Sequence, residues 1–135
     1  MKSLFARYIC VPRLNLPVQK QSDMTKVWSS WNKFTKPSEV VSKGYCSLDK
    51  IKEKIDKPQV NRSIKGVYIF INQIGHVKYV GHSKSDLGDE ANRQHKNGKS
   101  KGATICRWCR MKTDEKSKET ERAINKFYDP PNNKY

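Results

Sequence analysis

The spacing of apolar residues changes once along the chain, near Asn61. Between residues 23 and 57, apolar positions recur every three or four residues, which is typical of amphipathic helices. Met24, Trp28, Trp31 and Phe34 form one such stripe, and three of its four residues are aromatic. Two further short segments come after it, PSEVVSKG and SLDKIKEKID. We therefore predict two or three short helices here, with the aromatic stripe as core or as a dimer surface; stacking on bases is the alternative.

From Ile64 onward the period is that of strands. GVYIFIN and HVKYVG are rich in β-branched and aromatic residues, and NQIG between them supplies turn residues, so a β-hairpin is predicted. A short helix is expected from about Asp86 to Lys96, and ATICRWCRM fits either a third strand or a helix. Asp114 is the expected cap of a helix through DEKSKETERAINKFY, which ends before the prolines at 130 and 131.

These elements predict a small α+β fold. Its short antiparallel sheet contains the hairpin and a third strand, flanked by helices. We assign residues 64–135 to this domain and residues 1–63 to an N-terminal extension of mostly short helices. The extension would serve as an arm for DNA binding or for dimerisation.

The charge of the chain indicates a polyanionic partner. Lys and Arg number 28 against 13 Asp and Glu, a formal charge of +15 that is spread along the whole length. A basic domain gains affinity for phosphates by releasing their counterions, so nucleic acid is the leading partner. An anionic membrane surface or ribosomal RNA is the alternative.

Other features of the composition narrow the class of protein. No apolar run approaches the length of a transmembrane helix, so a soluble intracellular protein is expected. The first 22 residues carry no acidic residue, which would fit an organelle targeting segment or an ordinary arm. Cys106 and Cys109 form a CxxC pair, but a zinc site needs four ligands, and only Cys10 and Cys46 could add to it. Buried core thiols are therefore the favoured interpretation.

Two matching triplets carry the clearest functional signal. Gly66-Val67-Tyr68 and Tyr79-Val80-Gly81 have ten residues between their tyrosines. In the C-terminal helix, Glu121 is followed nine residues later by Pro130 and twelve residues later by Asn133. In these motifs, and in Ser83 two residues after the second triplet, the segment from 66 to 135 resembles the GIY-YIG nuclease family.

The resemblance implies a metal-dependent DNA endonuclease. Tyr68 would help to activate the water that attacks a DNA phosphodiester, and Tyr79 would orient water and phosphate. Glu121 would bind one divalent metal, Mg²⁺ or Mn²⁺, and Asn133 would brace the site. A metal held by one carboxylate can stabilise the negative charge that builds on the phosphate, and Mg²⁺ keeps most of its waters. Glu119 is the neighbouring carboxylate and a weaker candidate.

The chain departs from the family pattern at the arginine that neutralises the phosphate. That arginine is expected ten residues after the second tyrosine in an L-x-x-R motif, but Asp89 stands ten residues after Tyr79. Arg93, at fourteen, is one helical turn further on and would keep the same face. His95 is the candidate histidine near it, and Lys84 is the fallback cation.

Cations near the tyrosines matter for the chemistry. A tyrosine with an ordinary pKa of about 10 is a poor base unless positive charge lowers that value. Arg93, Lys78 or Lys84, together with the metal, would have this effect. Contacts to DNA are further expected from a set of basic residues: Lys78, His82, Lys84, Lys96, Lys99, Lys101, Arg107 and Arg110.

Several alternatives stay open from the sequence. The enzyme could cut at specific sites as a homodimer, or it could be a structure-selective or nonspecific nicking enzyme of a mobile element or phage. The displaced arginine favours another class, an inactive GIY-YIG-like module that only binds DNA. An RNA-binding protein with an accidental motif would show neither cleavage nor clustering of the motif residues.

Overall fold

Four antiparallel strands form a sheet in this computed structural model, which describes residues 26–56 and 64–134. The strands are β1 (Val40–Ser47), β2 (Gly66–Ile71), β3 (Val77–Ser83) and β4 (Ile105–Met111). Their order across the sheet is β1-β4-β2-β3, so β1 and β3 are its edges. The α+β prediction is confirmed, and ATICRWCRM is a strand that pairs with both β1 and β2.

Helices cover both faces of the sheet. They are α1 (Ile51–Ile55), α2 (Leu87–Lys96) and α3 (Asp114–Tyr128). Alternate residues of β2 supply two cores, because successive side chains on a strand point to opposite faces. Tyr68 and Phe70 pack with residues of α1 and α2, whereas Val67 and Ile69 pack with residues of α3. None of the helices in the described ranges is long and apolar enough to span a membrane.

The hairpin forms as predicted, with its turn centred on Asn72. The Asn72 side-chain oxygen accepts hydrogen bonds from the backbone N–H groups of Ile74, Gly75 and His76, at 3.1, 2.9 and 2.8 Å. Gly75 has a φ of 106°, in the left-handed region where a side chain would be strained. The turn therefore fixes the register that brings β3 alongside β2.

The prediction for PSEVVSKG was wrong, because this segment is mostly strand. Pro37–Glu39 forms one 3₁₀ turn, and Val40 then begins β1, which pairs with β4. Ser42 and Gly44 face inward but are small, so the alternation of a strand was not visible as alternating apolar residues. Gly44 lies directly against the Trp108 ring, where a side chain would collide. SLDKIKEKID forms one 3₁₀ turn and then α1.

The aromatic stripe is part of the core, although it is not an α-helix. Residues 26–30 have no regular structure, and Trp31–Lys33 forms a single 3₁₀ turn. Trp28 donates a backbone hydrogen bond to Gly75 O at 2.7 Å, and its ring packs on Trp31, Phe34 and Tyr128. These contacts confirm the core interpretation. The targeting segment proposed for the first 22 residues lies outside the described residues.

The CxxC pair is split across the sheet. Cys106 and Cys109 are three residues apart on β4, so their side chains point to opposite faces and belong to different cores. Cys46, Cys106 and Cys109 are free, buried thiols, as expected. Burial raises the pKa of the Cys46 and Cys109 thiols to about 11. Cys10 lies outside the described residues.

At the C-terminus the helix boundaries agree with the prediction, with one difference in the cap. The Thr113 hydroxyl, not Asp114, accepts the hydrogen bond from the Lys116 N–H and caps α3. The helix ends at Tyr128, and Asp129, with a φ of 49°, turns the chain into Pro130. A 3₁₀ turn over Pro131–Lys134 then carries the chain back to β3.

Candidate functional site

The two tyrosines of the triplets lie next to each other on β2 and β3. Tyr68 is opposite Gly81 in the strand register, and its ring lies across that glycine, because a Cβ at Gly81 would be 2.5 Å from the Tyr68 hydroxyl. The centroids of the Tyr68 and Tyr79 rings are 6.1 Å apart. Tyr68 is fully buried, whereas Tyr79 is half-buried at the sheet edge. The glycine of the second triplet thus makes room for the tyrosine of the first.

Both tyrosines are harder to ionise than a free tyrosine. Burial raises the pKa of Tyr68 far above its ordinary value, with Tyr79 and Glu90 adding to the effect. Burial also raises the pKa of Tyr79; the Tyr68 hydroxyl opposes this shift, and the charges of Glu90 and Glu121 add to it. The Tyr68 hydroxyl oxygen forms no hydrogen bond of ordinary geometry with the described residues. The neighbouring Tyr79 hydroxyl nevertheless contributes to the raised pKa of Tyr68. The expected lowering of the tyrosine pKa is therefore not found in the protein by itself.

Glu121 reaches the same edge strand from the opposite face of the sheet. It lies on α3, and its Oε1 is 2.6 Å from Nδ1 of His82, the residue directly after the second triplet. Both side chains are about one-quarter exposed, at 26% and 27%. The charge of Glu121 also acts on Tyr79. His82 was expected to contact DNA phosphate, but in the structure it binds the candidate metal ligand.

Asn133 holds the outer edge of β3. Its side-chain amide accepts a hydrogen bond from Val80 N at 2.8 Å and donates one to Val80 O at 2.9 Å. An edge strand leaves such backbone groups without a strand partner, and here the asparagine replaces one. Val80 lies between Tyr79 and Gly81, so the bracing acts at the triplet itself.

Asn132 holds the basic loop between α2 and β4. Its side-chain NH₂ donates to Lys99 O at 2.8 Å and to Lys101 O at 2.9 Å. His95 forms a further hydrogen bond to this loop, with its Nδ1 at 2.5 Å from the Ser100 hydroxyl oxygen. The Lys99 ammonium then lies 5.9 Å from the centroid of the Tyr79 ring. The basic loop is therefore bound at Lys99, Ser100 and Lys101, and it brings a cation to Tyr79.

Arg93 lies on the exposed side of α2 and is paired with carboxylates. It forms a short ion pair with Glu90 and a longer one, at 3.7 Å, with Asp86. Gln94 also donates to Glu90, at 3.2 Å. Glu90 is three residues after Leu87, where the L-x-x-R motif would place an arginine, and its charge raises the pKa of both tyrosines. Arg93 is thus linked to the tyrosines through Glu90.

The remaining basic residues fall into two groups. Lys84, Lys96 and Lys101 are exposed, and Lys78 lies beside the basic loop at Gly102. By contrast, Arg110 is only 8% exposed and donates to Ile55 O, so the structure contradicts its expected contact with DNA. Arg107 is half-buried on β4 with its guanidinium 5.0 Å from the centroid of the Tyr45 ring. Its strand is separated from β3 by β2.

The residues around Glu121 suit a hard divalent cation. No group of three or more His, Cys, Asp or Glu side chains is arranged to hold a metal within residues 26–56 and 64–134. A single carboxylate is nevertheless enough for Mg²⁺, which keeps several waters and completes its shell with substrate phosphate. Glu121 Oε2 accepts no hydrogen bond from these residues, since the described contact of the carboxylate is made by Oε1.

Three residues of this region have contacts that were not predicted from the sequence. His82 was assigned to DNA, and Glu90 and Asn132 were not assigned at all. A histidine directly after the second triplet and a second asparagine beside Asn133 were visible signals. The pairing of His82 with Glu121 joins residues 39 positions apart, so it required the fold.

The segment that builds this site matches a known protein family. Residues 64–133 match the model of the GIY-YIG catalytic domain, which covers just over half of the chain. Neither curated proteins nor solved structures gave a match. The matched segment contains both triplets, Arg93, Glu121 and Asn133. A GIY-YIG domain points to nuclease activity on DNA, and this chain belongs to the GIY-YIG family.

Proposed function

We propose that this protein is a DNA endonuclease that hydrolyses phosphodiester bonds with one divalent metal, Mg²⁺ or Mn²⁺. The observation that carries the proposal is the arrangement around Tyr79. The Tyr68 ring lies beside it, the charge of Glu121 acts on it, and Asn133 braces the next residue. The two tyrosines, Glu121 and Asn133 keep the residue types and the order of the family pattern, and their proximity to this edge strand supports the proposal.

The tyrosines act in this account as neutral hydroxyls before DNA binds. Their raised pKa values mean that neither is ionised at neutral pH in the protein alone. A neutral hydroxyl can donate to a phosphate oxygen and accept from a water, so half-buried Tyr79 would orient the attacking water. Tyr68 would support the Tyr79 hydroxyl from beneath. The metal, when bound at Glu121, stabilises the negative charge that builds on the phosphate.

The phosphate would be held by cations on two sides of Tyr79. Arg93 would exchange Glu90 for a phosphate oxygen, because arginine binds both anions through the same fork of N–H groups. His95, tied to Ser100, would keep the basic loop in place. Contact along the DNA backbone would come from the lysines around this loop and edge strand: Lys78, Lys84, Lys96, Lys99 and Lys101.

The deciding experiment is cleavage of supercoiled plasmid with Mg²⁺, with Mn²⁺ and with EDTA. Glu121→Ala should lower the cleavage rate by about a hundredfold to a thousandfold, the usual cost of losing one charge-stabilising group, and should leave DNA binding nearly intact. Glu119→Ala is the matched control, since Glu119 is an exposed carboxylate on the same helix, paired with Lys116. Equal rates for wild type and Glu121→Ala would refute the proposal, as would cleavage that EDTA leaves unchanged.

The second candidate is a module that binds DNA without cutting it. The pairing of Arg93 with two carboxylates favours this second function, because an arginine that is already paired with carboxylates attracts a phosphate less strongly. This function predicts no metal-dependent nicking while binding still weakens steeply with salt. A flat response of binding to salt would contradict both candidates.

The same plasmid assay separates the modes of cutting. Nicked circles alone would indicate a nonspecific or structure-selective nicking enzyme, whereas discrete linear fragments would indicate a site-specific enzyme. A homodimer that cuts both strands would produce linear DNA without an accumulation of nicked circles, and its mass in solution would be twice that of the chain.

A further inference from the structure

The contacts of His82 are not those expected of a residue that only binds DNA. It is on β3, on the face opposite to Tyr79, because residues three apart on a strand point to opposite faces. That face is covered by α3, and Nδ1 of His82 lies 2.6 Å from Oε1 of Glu121. An ionised carboxylate can only accept a hydrogen bond, so the imidazole N–H donates.

The contact with His82 makes the two oxygens of the Glu121 carboxylate different from each other. Oε1 is bound by His82, whereas Oε2 accepts no hydrogen bond and forms no ion pair with the residues that the structure describes. Glutamate has three rotatable side-chain bonds, and fixing them costs conformational entropy. A carboxylate already held by one oxygen loses less of this freedom when the other oxygen takes a ligand.

We propose that His82 is a positioning residue for the divalent metal, which holds Glu121 by Oε1 and presents Oε2 to the ion. This inference rests on the proposed function, since it assigns a partner to the proposed metal ligand. Hydrogen bonds to ligating groups commonly contribute tenfold to a hundredfold in metal affinity. His82 would therefore support a site whose proposed protein ligand is a single carboxylate.

A simpler role would be to pin α3 to the edge strand. That role predicts a loss of stability without a specific change in metal binding. The two roles separate when metal affinity and stability are measured on the same variants. Asparagine at position 82 is the informative replacement, because its side-chain NH₂ can donate from nearly the position of Nδ1, whereas alanine cannot.

The experiment measures Mn²⁺ binding to the full chain, without DNA, by the loss of the free-ion signal in electron paramagnetic resonance. We expect His82→Ala to weaken Mn²⁺ binding by about tenfold to a hundredfold and His82→Asn to recover most of it. Glu121→Ala should abolish binding at this site. His76→Ala, which removes a histidine from the hairpin turn, is the control and should bind Mn²⁺ like wild type. Urea unfolding of each variant reports stability separately.

Three outcomes would overturn the inference. Equal Mn²⁺ affinity for wild type and His82→Ala would remove the positioning role, as would equal weakening by His82→Ala and His82→Asn. If His82→Ala does not fold, the comparison of His82→Asn and His82→Gln with wild type decides, because glutamine donates from a displaced position. Loss of Mn²⁺ binding in Glu121→Ala without any effect at position 82 would leave the nuclease proposal intact. No Mn²⁺ binding by wild type would overturn this inference, whereas the nuclease proposal is overturned by plasmid cleavage that EDTA or Glu121→Ala leaves unchanged.

Discussion

Helices α2 and α3 approach the same edge strand from opposite faces of the sheet, and they present charge to it differently. On α3, Glu121 is held by one oxygen and keeps the other without a hydrogen bond from the described residues. On α2, Arg93 already forms ion pairs with Glu90 and Asp86. In the proposed nuclease, the carboxylate for the metal would therefore be arranged in advance, whereas Arg93 would have to exchange a carboxylate for phosphate.

The two helices also differ in how closely they keep to the family pattern. Glu121 and Asn133 stand at the expected spacing; Glu121 contacts His82, and Asn133 binds both backbone groups of Val80. The arginine is displaced by one helical turn, and a glutamate takes its place near the tyrosines. The departure from the family pattern therefore lies at the residue proposed to bind phosphate, whereas the residue proposed to bind metal keeps its expected place.

The largest effect should come from removing the phosphate cation. If Arg93 neutralises the phosphate, Arg93→Ala should lower single-turnover cleavage by about a hundredfold to a thousandfold. Lys99→Ala should lower the cleavage rate less, because Lys99 lies on the basic loop and its ammonium faces the Tyr79 ring, 5.9 Å from the ring centroid. The reverse order of effects would move the catalytic cation from α2 to the loop. Lys118→Ala, which removes an exposed lysine of α3 that is paired with Asp114, is the control.

Tyr68→Phe should separate activity from stability. We expect cleavage to fall by about a hundredfold, as for loss of a group that assists proton transfer. The fold should become more stable by about 1 kcal/mol, because the buried hydroxyl has no hydrogen bond of ordinary geometry among the described residues. Urea unfolding and plasmid cleavage together test this. A variant that cuts at the wild-type rate would reduce Tyr68 to a core residue.

The folding stability of Tyr68→Phe should depend on pH differently from that of the wild type. The folded-state pKa of Tyr68 is raised by burial, so its contribution to stability is constant below the unfolded pKa of about 10 and is lost as the pH rises further. Wild type should therefore lose stability above that pH more steeply than Tyr68→Phe. Tyr45→Phe, at an exposed position, should behave like wild type.

Asn133→Ala tests the bracing of the edge strand. Two hydrogen bonds to Val80 are lost, which should destabilise the fold by about 1–3 kcal/mol. Hydrogen exchange at the Val80 amide should accelerate more than at amides of β2. Asn125→Ala, at an exposed position on α3, provides the matched control. Unchanged exchange at Val80 would contradict the contact.

The smallest effect is expected at Glu90. Glu90→Gln should release Arg93 and remove a negative charge near both tyrosines, so DNA binding should tighten by about twofold to fivefold, the value of one exposed ion pair. Asp89→Asn, which removes a neighbouring exposed carboxylate paired with Lys52, is the control. Weaker binding by Glu90→Gln would show that Glu90 holds Arg93 in its working position instead of competing with phosphate.

Much of the domain could be predicted from the sequence because its signals are local. The hairpin, α2 and α3 have strong periodicity and turn residues, and the two triplets and the Glu121 to Asn133 spacing identify the family. β1 was missed because its inward residues Ser42 and Gly44 are small, and only their packing on β4 makes the segment a strand. The aromatic stripe was interpreted correctly as core although its predicted helix does not form.

The sequence by itself determined the class of fold, the basic character and the family of this protein, since each rests on residue types at short or fixed spacing. Only the tertiary structure decided how the charged residues are paired. Whether a lysine, histidine or glutamate faces a phosphate, a metal or another side chain depends on strand register and on which face a helix covers. That is why Arg110 is buried on Ile55 O, His82 belongs to Glu121, and Arg93 reaches the tyrosines through Glu90.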